Sequence, residues 1–442
     1  MKLYPDSKVY VLCPRNYASG GPELCHQLCS QLIRLNINAF MFYIPNTSKN
    51  NPVPEVYIKY HLPYTFDLED SEKNIFVIPE YFSEYLYTVK KIQRVFWWLS
   101  VDNYIKKISI LLNSHLSKVM TEPTPKFFYF SKEDSNITHF FQSEYTRQFI
   151  IINGITNAKS VETCMNQNFL NYANNVDLNK KENIVAYNPS KGIEITQQLI
   201  KLAPDIDWRP IKGMTVEQVK EFLTKAKVYI DFGNFPGRER LPREASLMGC
   251  VVITGKRGAA ANDIDINIPA EFKFDDSKLN PQQVIEKIRM IFENFVCEFN
   301  KQKAFRDKEL AAKKNFTNEV AEAFEIKNLP LLGVAIAQGV GYESFLLAQE
   351  LSQSTIFKPS FIIDDALATE EISDGFIFRE QNRNYLRTEN FSIEIISSND
   401  AKFLYLEERI RKFALLAPTK EKLAELKNFY GAVDADVLIF NC

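Results

Sequence analysis

Short apolar runs of strand type alternate with helical segments along most of this sequence. Residues 9–13 read Val-Tyr-Val-Leu-Cys, and the segment after them carries Leu24, Leu28, Leu32 and Leu35 at helical spacing. Strands that are separated by helices pair in parallel, and the helices cover both faces of their sheet. Further apolar runs of the same kind lie at residues 39–44, 75–78, 95–99, 127–130 and 139–141. The sequence therefore predicts a parallel sheet with helices on both sides.

The pattern restarts after a polar stretch at residues 166–181. The second series includes a helix start of capping-box type at Thr215 and Gln218 and one long helix at residues 281–299. A third, shorter series begins near residue 328. We therefore expect the α/β class, with two Rossmann-like lobes that face a cleft and a small C-terminal α/β extension. The expected domains are residues 1–165, residues 166–327 and residues 328–442, the last of unknown role and a possible route to oligomers.

The composition is that of an ordinary globular protein. Among 442 residues 45% are hydrophobic and 24% are charged, which argues against a disordered or fibrous chain. The formal net charge is -2, so nucleic acid is not expected as a partner. No apolar run approaches the ~20 residues that a membrane span needs. We expect at most peripheral contact with a membrane.

Seven cysteines are scattered along the chain. An odd number without paired spacing predicts buried free thiols in a reducing compartment, which favours a cytoplasmic protein. Cys25 and Cys29 lie four residues apart, but no second pair of Cys or His lies at ligand spacing, so core packing is the favoured interpretation. Asp263 and Asp265 imitate a metal-binding pair but fall in a predicted loop. Neither a metal nor another cofactor is expected.

The first candidate for chemistry is a glycine pair between a predicted strand and a predicted helix. Gly20 and Gly21 precede Pro22 and Glu23. Adjacent glycines let the backbone approach a ligand closely, and a helix N-terminus presents free amides and a positive dipole end. A plain tight turn is the competing interpretation.

The second candidate is Lys191, in the turn that reads Tyr-Asn-Pro-Ser-Lys-Gly at residues 187–192. A side chain at the end of a parallel strand faces the crevice where α/β proteins bind ligands. There a lysine supplies a point charge for a diphosphate. The competing interpretation is a lysine that only faces solvent.

The third and most specific candidate is the Gly/Pro-rich loop and helix start at residues 231–245. It concentrates Arg238, Arg240, Arg243 and Glu244. A carboxylate in the first turn of a helix can interact with the helix dipole or accept hydrogen bonds from a ribose diol. The density of arginine and glycine favours function, although arginines in such a loop could simply face solvent.

These three segments, in this order and spacing, resemble bacterial GT-B glycosyltransferases of the retaining family 4 type. Residues 97–104 and residues 142–145 are similar to a subgroup found among surface-polysaccharide gene products. The resemblance covers roughly residues 8–325. It implies a nucleotide-sugar donor and a glycan, lipid-linked or other acceptor.

The resemblance also implies roles for individual residues. Lys191 would hold the donor diphosphate, with backbone amides of the loop around Gly237 to Leu241. Glu244 would bind the ribose, and Gly213 and Met214 would contact the base.

On the opposite lobe, Gly20 and Gly21 would face the phosphates or the transferred sugar. Asp102 lies near the position where many relatives carry a histidine close to that sugar. We therefore take Asp102 and Glu239 as candidate catalytic residues.

Two positions depart from the family pattern. Pro236 stands where relatives carry the first glutamate of a pair, and Glu239 is the nearest acid. Ala186 stands where many relatives carry a diphosphate-binding arginine, a charge that Arg238, Arg240 or Arg257 would have to supply.

The sequence thus predicts a glycosyltransferase of hexosyl type, retaining rather than inverting, in bacterial surface-polysaccharide synthesis. Two alternatives stay open. One is an epimerase or hydrolase that acts on a sugar nucleotide. The other is a non-catalytic binding or assembly subunit, which the residues at positions 186 and 236 favour.

Overall fold

The structure is a computed structural model of the chain. It describes residues 1–326, except positions 5, 36, 46–49, 61, 118–125, 132–133 and 164, together with seven strands between residues 333 and 439. The chain divides into two compact units. One unit comprises Met1–Ile33 and Ile37–Lys327, and the other comprises Arg34–Asn36 and Asn328–Cys442.

The first unit begins with a seven-stranded parallel sheet. This sheet and its helices are called lobe 1. The strands stand in the order β3-β2-β1-β4-β5-β6-β7, which is the Rossmann order 3-2-1-4-5-6 with one strand added. The strands are β1 (Lys8–Pro14), β2 (Asn38–Ile44), β3 (Tyr64–Thr65), β4 (Ile75–Pro79), β5 (Gln93–Trp98), β6 (Thr138–Phe141) and β7 (Lys159–Ser160). The helices are α1 (Gly20–Arg34), α2 (Val101–Ser117) and α3 (Glu144–Ile152). A 3-10 segment covers Glu55–Tyr60, and another, kinked at Phe82, covers Glu80–Tyr87.

The strands form as the apolar runs predict, because β1 and β4 are buried along nearly their whole length. A parallel sheet covered by helices on both faces requires this continuous burial. Helix α1 packs on the sheet through a stripe of small and medium side chains, including Cys25, Leu28 and Leu32. The parallel sheet and covering helices predicted for this part of the chain are therefore confirmed.

Lobe 2 contains a four-stranded parallel sheet in the order β11-β10-β8-β9. Counted within the lobe this order is 2-1-3-4, as at the start of a flavodoxin-like sheet. The strands are β8 (Glu182–Tyr187), β9 (Asp207–Pro210), β10 (Ala226–Asp231) and β11 (Val251–Thr254). The helices from α4 onward are α4 (Gln167–Ala173), α5 (Ile193–Leu202), α6 (Val216–Lys225) and α7 (Arg240–Leu247). The capping box at Thr215 and Gln218 forms at the start of α6, as predicted.

The long helix predicted at residues 281–299 is wrong in one respect, because the segment is two helices. These are α8 (Pro281–Glu293) and α9 (Phe295–Lys301), and Asn294 between them has φ −120 and ψ 38. The chain continues through α10 (Lys303–Leu310) and α11 (Ala312–Ala323). Beyond α11 the chain contacts lobe 1, where the ring of Phe324 lies 5.5 Å from that of Phe140.

The strand predicted at residues 127–130 is also wrong. This aromatic run has no sheet partner in the structure. Phe128 is buried, and the ring of Phe130 stacks on that of Trp98 with centroids 5.5 Å apart. The run is apolar because it covers the core of lobe 1, a role that periodicity cannot distinguish from a strand.

The second unit contains a seven-stranded mixed sheet. Its order is β14-β15-β16-β13-β12-β17-β18, with an antiparallel edge formed by β14, β15 and β16. The strands are β12 (Gly333–Ile336), β13 (Pro359–Ile363), β14 (Ile377–Glu380), β15 (Arg383–Arg387), β16 (Ser392–Ile396), β17 (Lys412–Leu415) and β18 (Asp436–Ile439). The segments between these strands lie outside the described residues. The predicted domain limits remain predictions.

The cysteines are mostly buried. Cys13, Cys25, Cys29 and Cys250 are buried free thiols, whereas Cys297 is exposed, contrary to the prediction. Cys164 and Cys442 lie outside the described residues. Within the described part of the chain, no helix combines the length and apolarity that crossing a membrane requires.

Candidate active site in the cleft between the two lobes

A cavity of about 880 Å³ lies between lobe 1 and lobe 2 of the first unit. Its walls come from the segments that follow β1, β4, β5 and β6 and from the segments that follow β8 and precede α7. The predicted site residues that line it are Gly20, Gly21, Lys191, Arg238, Glu239, Arg240 and Leu241. Two Rossmann-like lobes facing one cleft make the GT-B arrangement, so the predicted fold class is confirmed.

The position of the cavity follows from the two strand orders. Each sheet reverses its order once, between β1 and β4 in lobe 1 and between β8 and β10 in lobe 2. Loops diverge at such a switch point and leave a crevice at the carboxyl ends of the strands. The cavity joins the two crevices.

Lys191 occupies the lobe 2 crevice because two glycines allow its turn to pack closely. Gly192 has φ +59, and a Cβ there would lie 2.4 Å from the carbonyl carbon of Phe232. A Cβ on Gly233 would lie 2.4 Å from Cβ of Lys191. The Lys191 ammonium pairs with Glu239, with 2.7 Å between Nζ and Oε1. Both residues line the cavity.

Asp231 lies beneath this turn at the end of β10. Its carboxylate accepts hydrogen bonds from the hydroxyl of Tyr229 and the N–H of Gly233, each at 2.9 Å. Burial raises the pKa of Asp231 to about 6, against the opposing effects of these bonds and of Lys191. Asp231 therefore holds the loop that faces Lys191.

Gly20 and Gly21 begin α1 on the opposite wall. A Cβ on Gly20 would meet nothing within 4 Å, and one on Gly21 would meet only Leu99, at 3.8 Å. The fold therefore does not require glycine at either position, whereas a closely approaching ligand would. Tyr57 fixes the loop before them, because its hydroxyl donates to the carbonyl of Ser19 at 2.7 Å.

His26 is packed in the core next to this loop. Its Nδ1 lies 2.7 Å from the carbonyl oxygen of Pro22, and its Nε2 lies 2.7 Å from the hydroxyl of Tyr43. Burial lowers the pKa of His26 to about 4, so the ring is neutral at pH 7. A neutral ring with both nitrogens bonded supports the loop and does not face the cavity.

Arg240 connects the two lobes at the cavity. Its guanidinium contacts the carboxylate of Glu23 in lobe 1, and its Nε lies 3.8 Å from Oε1 of Glu244. Burial alone would lower the pKa of Arg240, but Glu244 and Glu23 raise it overall. The side chain is 42% exposed, so this contact is partly open to solvent.

Glu244 is nearly buried, and it is not among the residues that line the cavity. Burial raises its pKa, while Arg240 opposes the shift. Its proposed role in binding ribose stays a prediction.

Arg238 belongs to a buried charge cluster, although it also lines the cavity. Its Nη2 donates to Oε1 of Glu309 at 2.7 Å, and its Nη1 contacts Glu162. Arg243 donates to the other oxygen of Glu309 at 2.5 Å and to Oγ1 of Thr163 at 2.8 Å. The cluster ties α7 and α10 to the segment that connects the lobes. Both guanidiniums are therefore neutralised by carboxylates of the protein itself. The number of arginines in the loop does not predict this pairing.

Besides Glu244, three predicted site residues lie outside the cavity lining. The Asp102 carboxylate accepts from the amide of Asn234 in lobe 2 and, at 3.3 Å, from the hydroxyl of Tyr145. Gly213 has φ +66 in open space, and Met214 is partly exposed. Gly213 follows β9, whose last residue pairs with Tyr187 at the end of β8, so it lies on the carboxyl edge of the lobe 2 sheet.

The cavity also contains polar residues that sequence reasoning did not select. Glu80 follows β4 and Gln142 follows β6, and both line the cavity. Their signal in the sequence is a polar residue directly after an apolar run. Glu23 belongs to the glycine segment noted in the sequence. Its ion pair with Arg240 could not be predicted, because the two residues lie 217 positions apart.

Asp263 and Asp265 do not form a metal pair. Asp265 accepts the N–H groups of Glu144 and Tyr145 at 2.8 and 2.9 Å, so it caps α3 of lobe 1 from lobe 2. Asp263 pairs with Lys273 at 2.8 Å. Among the described residues, no group of three or more His, Cys, Asp or Glu side chains could hold a metal ion.

No family model matches the sequence, and no curated protein matches it. Solved structures that resemble this one include a sucrose-phosphate synthase from Thermosynechococcus elongatus. That protein is 11% identical, the match covers 72% of this chain and 98% of the other, and the TM-score is 0.49. A glycosyltransferase from Rickettsia africae is 15% identical, with coverage of 74% and 100% and a TM-score of 0.44. The HepE protein of Anabaena, described in complex with UDP-glucose, is 10% identical, with coverage of 72% and 97% and a TM-score of 0.44.

Proposed function

We propose that this protein transfers a sugar from a nucleotide-sugar donor to an acceptor hydroxyl in the cleft between its lobes. One observation supports the proposal above the others. The cleft places two glycines that the fold does not need opposite two cations, Lys191 and Arg240. Each of these cations is neutralised by a carboxylate, as a diphosphate would neutralise it.

In this proposal a donor diphosphate displaces the carboxylates of Glu239 and Glu23. Lys191 and Arg240 then face the phosphates, and the backbone amides at the start of α1 approach from lobe 1. The bond from the anomeric carbon to the diphosphate breaks, and the diphosphate oxygen keeps the electron pair. The anomeric carbon bonds to an acceptor oxygen, whose proton passes to the departing diphosphate. Fixed cations beside the departing diphosphate stabilise its charge in the transition state. The displacement also leaves the carboxylate of Glu239 without its lysine partner inside the cavity.

We extend the proposal, on the sequence resemblance alone, to retention of the anomeric configuration and to a bacterial surface glycan as product. The buried free thiols favour a reducing compartment, so we assign the protein to the cytoplasm.

The first test is binding of nucleoside diphosphates to the purified protein and to its Lys191→Met variant. Calorimetry with the uridine, guanosine, adenosine and thymidine diphosphates identifies the base. Loss of one charge-assisted contact of about 1.5–3 kcal/mol predicts about 10- to 150-fold weaker binding in the variant. The matched control is Lys201→Met, in the last turn of α5, which starts two residues after Lys191. The control lies about 15 Å away and should bind normally.

Catalysis is tested by incubating the protein with the nucleotide-sugar of that base and measuring release of the diphosphate. Release that requires an acceptor supports transfer, whereas conversion of the donor alone indicates an epimerase or hydrolase. Equal binding by Lys191→Met and Lys201→Met would refute the site. If the wild type binds none of the four diphosphates, the alternative of a non-catalytic subunit is favoured.

A further inference from the structure

The lobe 1 wall of the cleft carries two polar side chains that the phosphate site does not use. Glu80 follows β4 and Gln142 follows β6, and β5 lies between these strands. Both hold the residue that follows β5: Oε2 of Glu80 accepts the N–H of Leu99 at 2.8 Å, and Nε2 of Gln142 donates to its carbonyl oxygen. The two side chains therefore have fixed positions at the carboxyl edge of the sheet.

Gln142 has an acceptor that the protein leaves unused. The side chain is 5% exposed, and its Oε1 is buried with no hydrogen-bond partner among the described residues. Turning the amide is unfavourable, because it would place Oε1 against the carbonyl oxygen of Leu99, to which Nε2 now donates. An unsatisfied buried acceptor costs about 1–3 kcal/mol. Such a group in a cavity wall can accept a hydrogen bond from a water molecule or from a ligand hydroxyl that replaces it.

Glu80 provides the complementary group. Its side chain is 2% exposed and lines the same cavity. Burial raises the pKa of Glu80 to about 8, and the backbone N–H groups of Leu99, Ser100 and Glu80 itself only reduce this shift. At pH 7 the carboxyl is therefore protonated. A protonated carboxyl is a neutral group that can donate a hydrogen bond as well as accept one.

We propose that Glu80 and Gln142 form a hydroxyl-binding subsite that recognises neighbouring hydroxyls of a pyranose. Glu80 donates to one hydroxyl, and Oε1 of Gln142 accepts from the next. The cations of the cleft lie on lobe 2, so a neutral donor–acceptor pair on lobe 1 suits the uncharged, polyhydroxylated part of a substrate. This inference rests on the proposed function, because it concerns the same cleft. The pyranose can belong to the donor or to the acceptor.

Other titratable groups lie in the cavity wall or on the elements next to Glu80, and they bear on any pH effect. They lie on α1, on the 3-10 segment of Glu80, on α2 and on the two lobe 2 segments that line the cavity. These groups are Glu23, Cys25, Tyr81, Glu84, Asp102, Lys107, Lys191, Arg238, Glu239 and Arg240. Lys107 is paired with Glu84 at 3.1 Å. The sugar affinity of each variant is therefore compared with that of the wild type at the same pH, because the effect of these groups on affinity is common to both proteins.

The test measures the contribution of the sugar to binding separately from that of the phosphates. Calorimetry compares each nucleoside diphosphate with its glucose conjugate, beginning with UDP and UDP-glucose, and this comparison gives the contribution of a donor pyranose. Titration of methyl glucoside and methyl galactoside into the diphosphate-saturated protein gives the contribution of an acceptor pyranose. The variants are Gln142→Leu, which removes the acceptor, and Glu80→Gln, which keeps one oxygen for Leu99 and offers an N–H in place of the O–H.

In one of the two titrations, that of the donor sugar or that of the acceptor sugar, Gln142→Leu should weaken sugar binding about tenfold or more. The affinity for the diphosphate should stay within threefold of the wild-type value. Wild-type sugar affinity in that titration should fall as pH rises through about 8, since the ionised carboxylate cannot donate. Glu80→Gln should bind the sugar with no such fall.

Sugar affinity that is unchanged in Gln142→Leu, or a wild-type profile that is flat from pH 6.5 to pH 9.5, overturns the subsite and leaves the phosphate site intact. Absence of binding by every diphosphate overturns the subsite and the proposed function together. If Gln142→Leu does not fold, the isosteric Glu80→Gln variant still tests the subsite. A fall in its sugar affinity through about pH 8 like that of the wild type would overturn the subsite.

Discussion

The buried cluster around Glu309 gives the sharpest test of how the lobes are held. The carboxylate is fully buried between two guanidiniums that are at most 1% exposed, those of Arg238 and Arg243. We expect Glu309→Gln to leave both cations buried with one partly exposed partner, Glu162. The amide can accept from one guanidinium only, and its NH₂ group faces the other. Breaking a buried pair in this way costs about 3–5 kcal/mol of the free energy of unfolding.

The matched control lies two residues earlier on the same helix. Asp307 pairs with Lys303 at the surface, where the side chains are 53% and 71% exposed. Exposed pairs of this i,i+4 kind contribute about 0.3–0.5 kcal/mol, so Asp307→Asn should barely change stability. Urea unfolding followed by tryptophan fluorescence reports both lobes, since Trp97 and Trp98 lie in lobe 1 and Trp208 in lobe 2.

The cluster also predicts a pH dependence. Burial would raise the pKa of Glu309, but Arg243 and Arg238 outweigh it, and the folded-state pKa is lowered from 4.5. A depressed pKa stabilises the folded state above the unfolded-state value, and this contribution is lost as pH falls through the folded-state value. The stability difference between wild type and Glu309→Gln should therefore be full at pH 7 and shrink below about pH 4.5. A Glu309→Gln effect no larger than that of Asp307→Asn at pH 7 would refute the reasoning.

Two further predictions concern the cleft itself. Gly192→Ala should lower both stability and diphosphate affinity, because the new Cβ would overlap the Phe232 backbone; Gly213→Ala has a similar φ in open space and should cost only the ~1–2 kcal/mol of a left-handed residue. Equal losses in urea unfolding would show that the close approach at Gly192 is unimportant. Glu23→Gln should tighten diphosphate binding by up to about fivefold in calorimetry, because a partly exposed pair of ~0.2–1 kcal/mol no longer competes for Arg240. Weaker binding would mean that Glu23 contacts the ligand.

The two lobes and the position of Lys191 could be predicted because both depend on local signals. Apolar runs mark the strands, and a lysine that follows a strand of a parallel sheet lies at the crevice wherever the order reverses. The aromatic run at residues 127–130 shows the limit of this approach. Its side chains pack on Trp98 without a strand, and burial without pairing leaves the same apolar pattern.

The roles of charged residues could not be predicted to the same degree. Arg238 and Arg240 are two residues apart in one loop, yet one is neutralised by Glu309 and the other by Glu23 of the opposite lobe. These partners are set by tertiary packing, which local charge density does not encode. The protonation of Glu80 likewise depends on burial that only the packed lobe provides.

Hydrogen exchange at the start of α3 should report separation of the two lobes, because this helix is capped by a residue of the other lobe. Its first amides, those of Glu144 and Tyr145, are hydrogen-bonded by Asp265, which belongs to the other lobe. If the lobes part, water replaces the carboxylate, and these two amides become open to hydrogen exchange while the rest of the helix keeps its own bonds. Their exchange rates would thus report the opening equilibrium of the cleft without any attached probe.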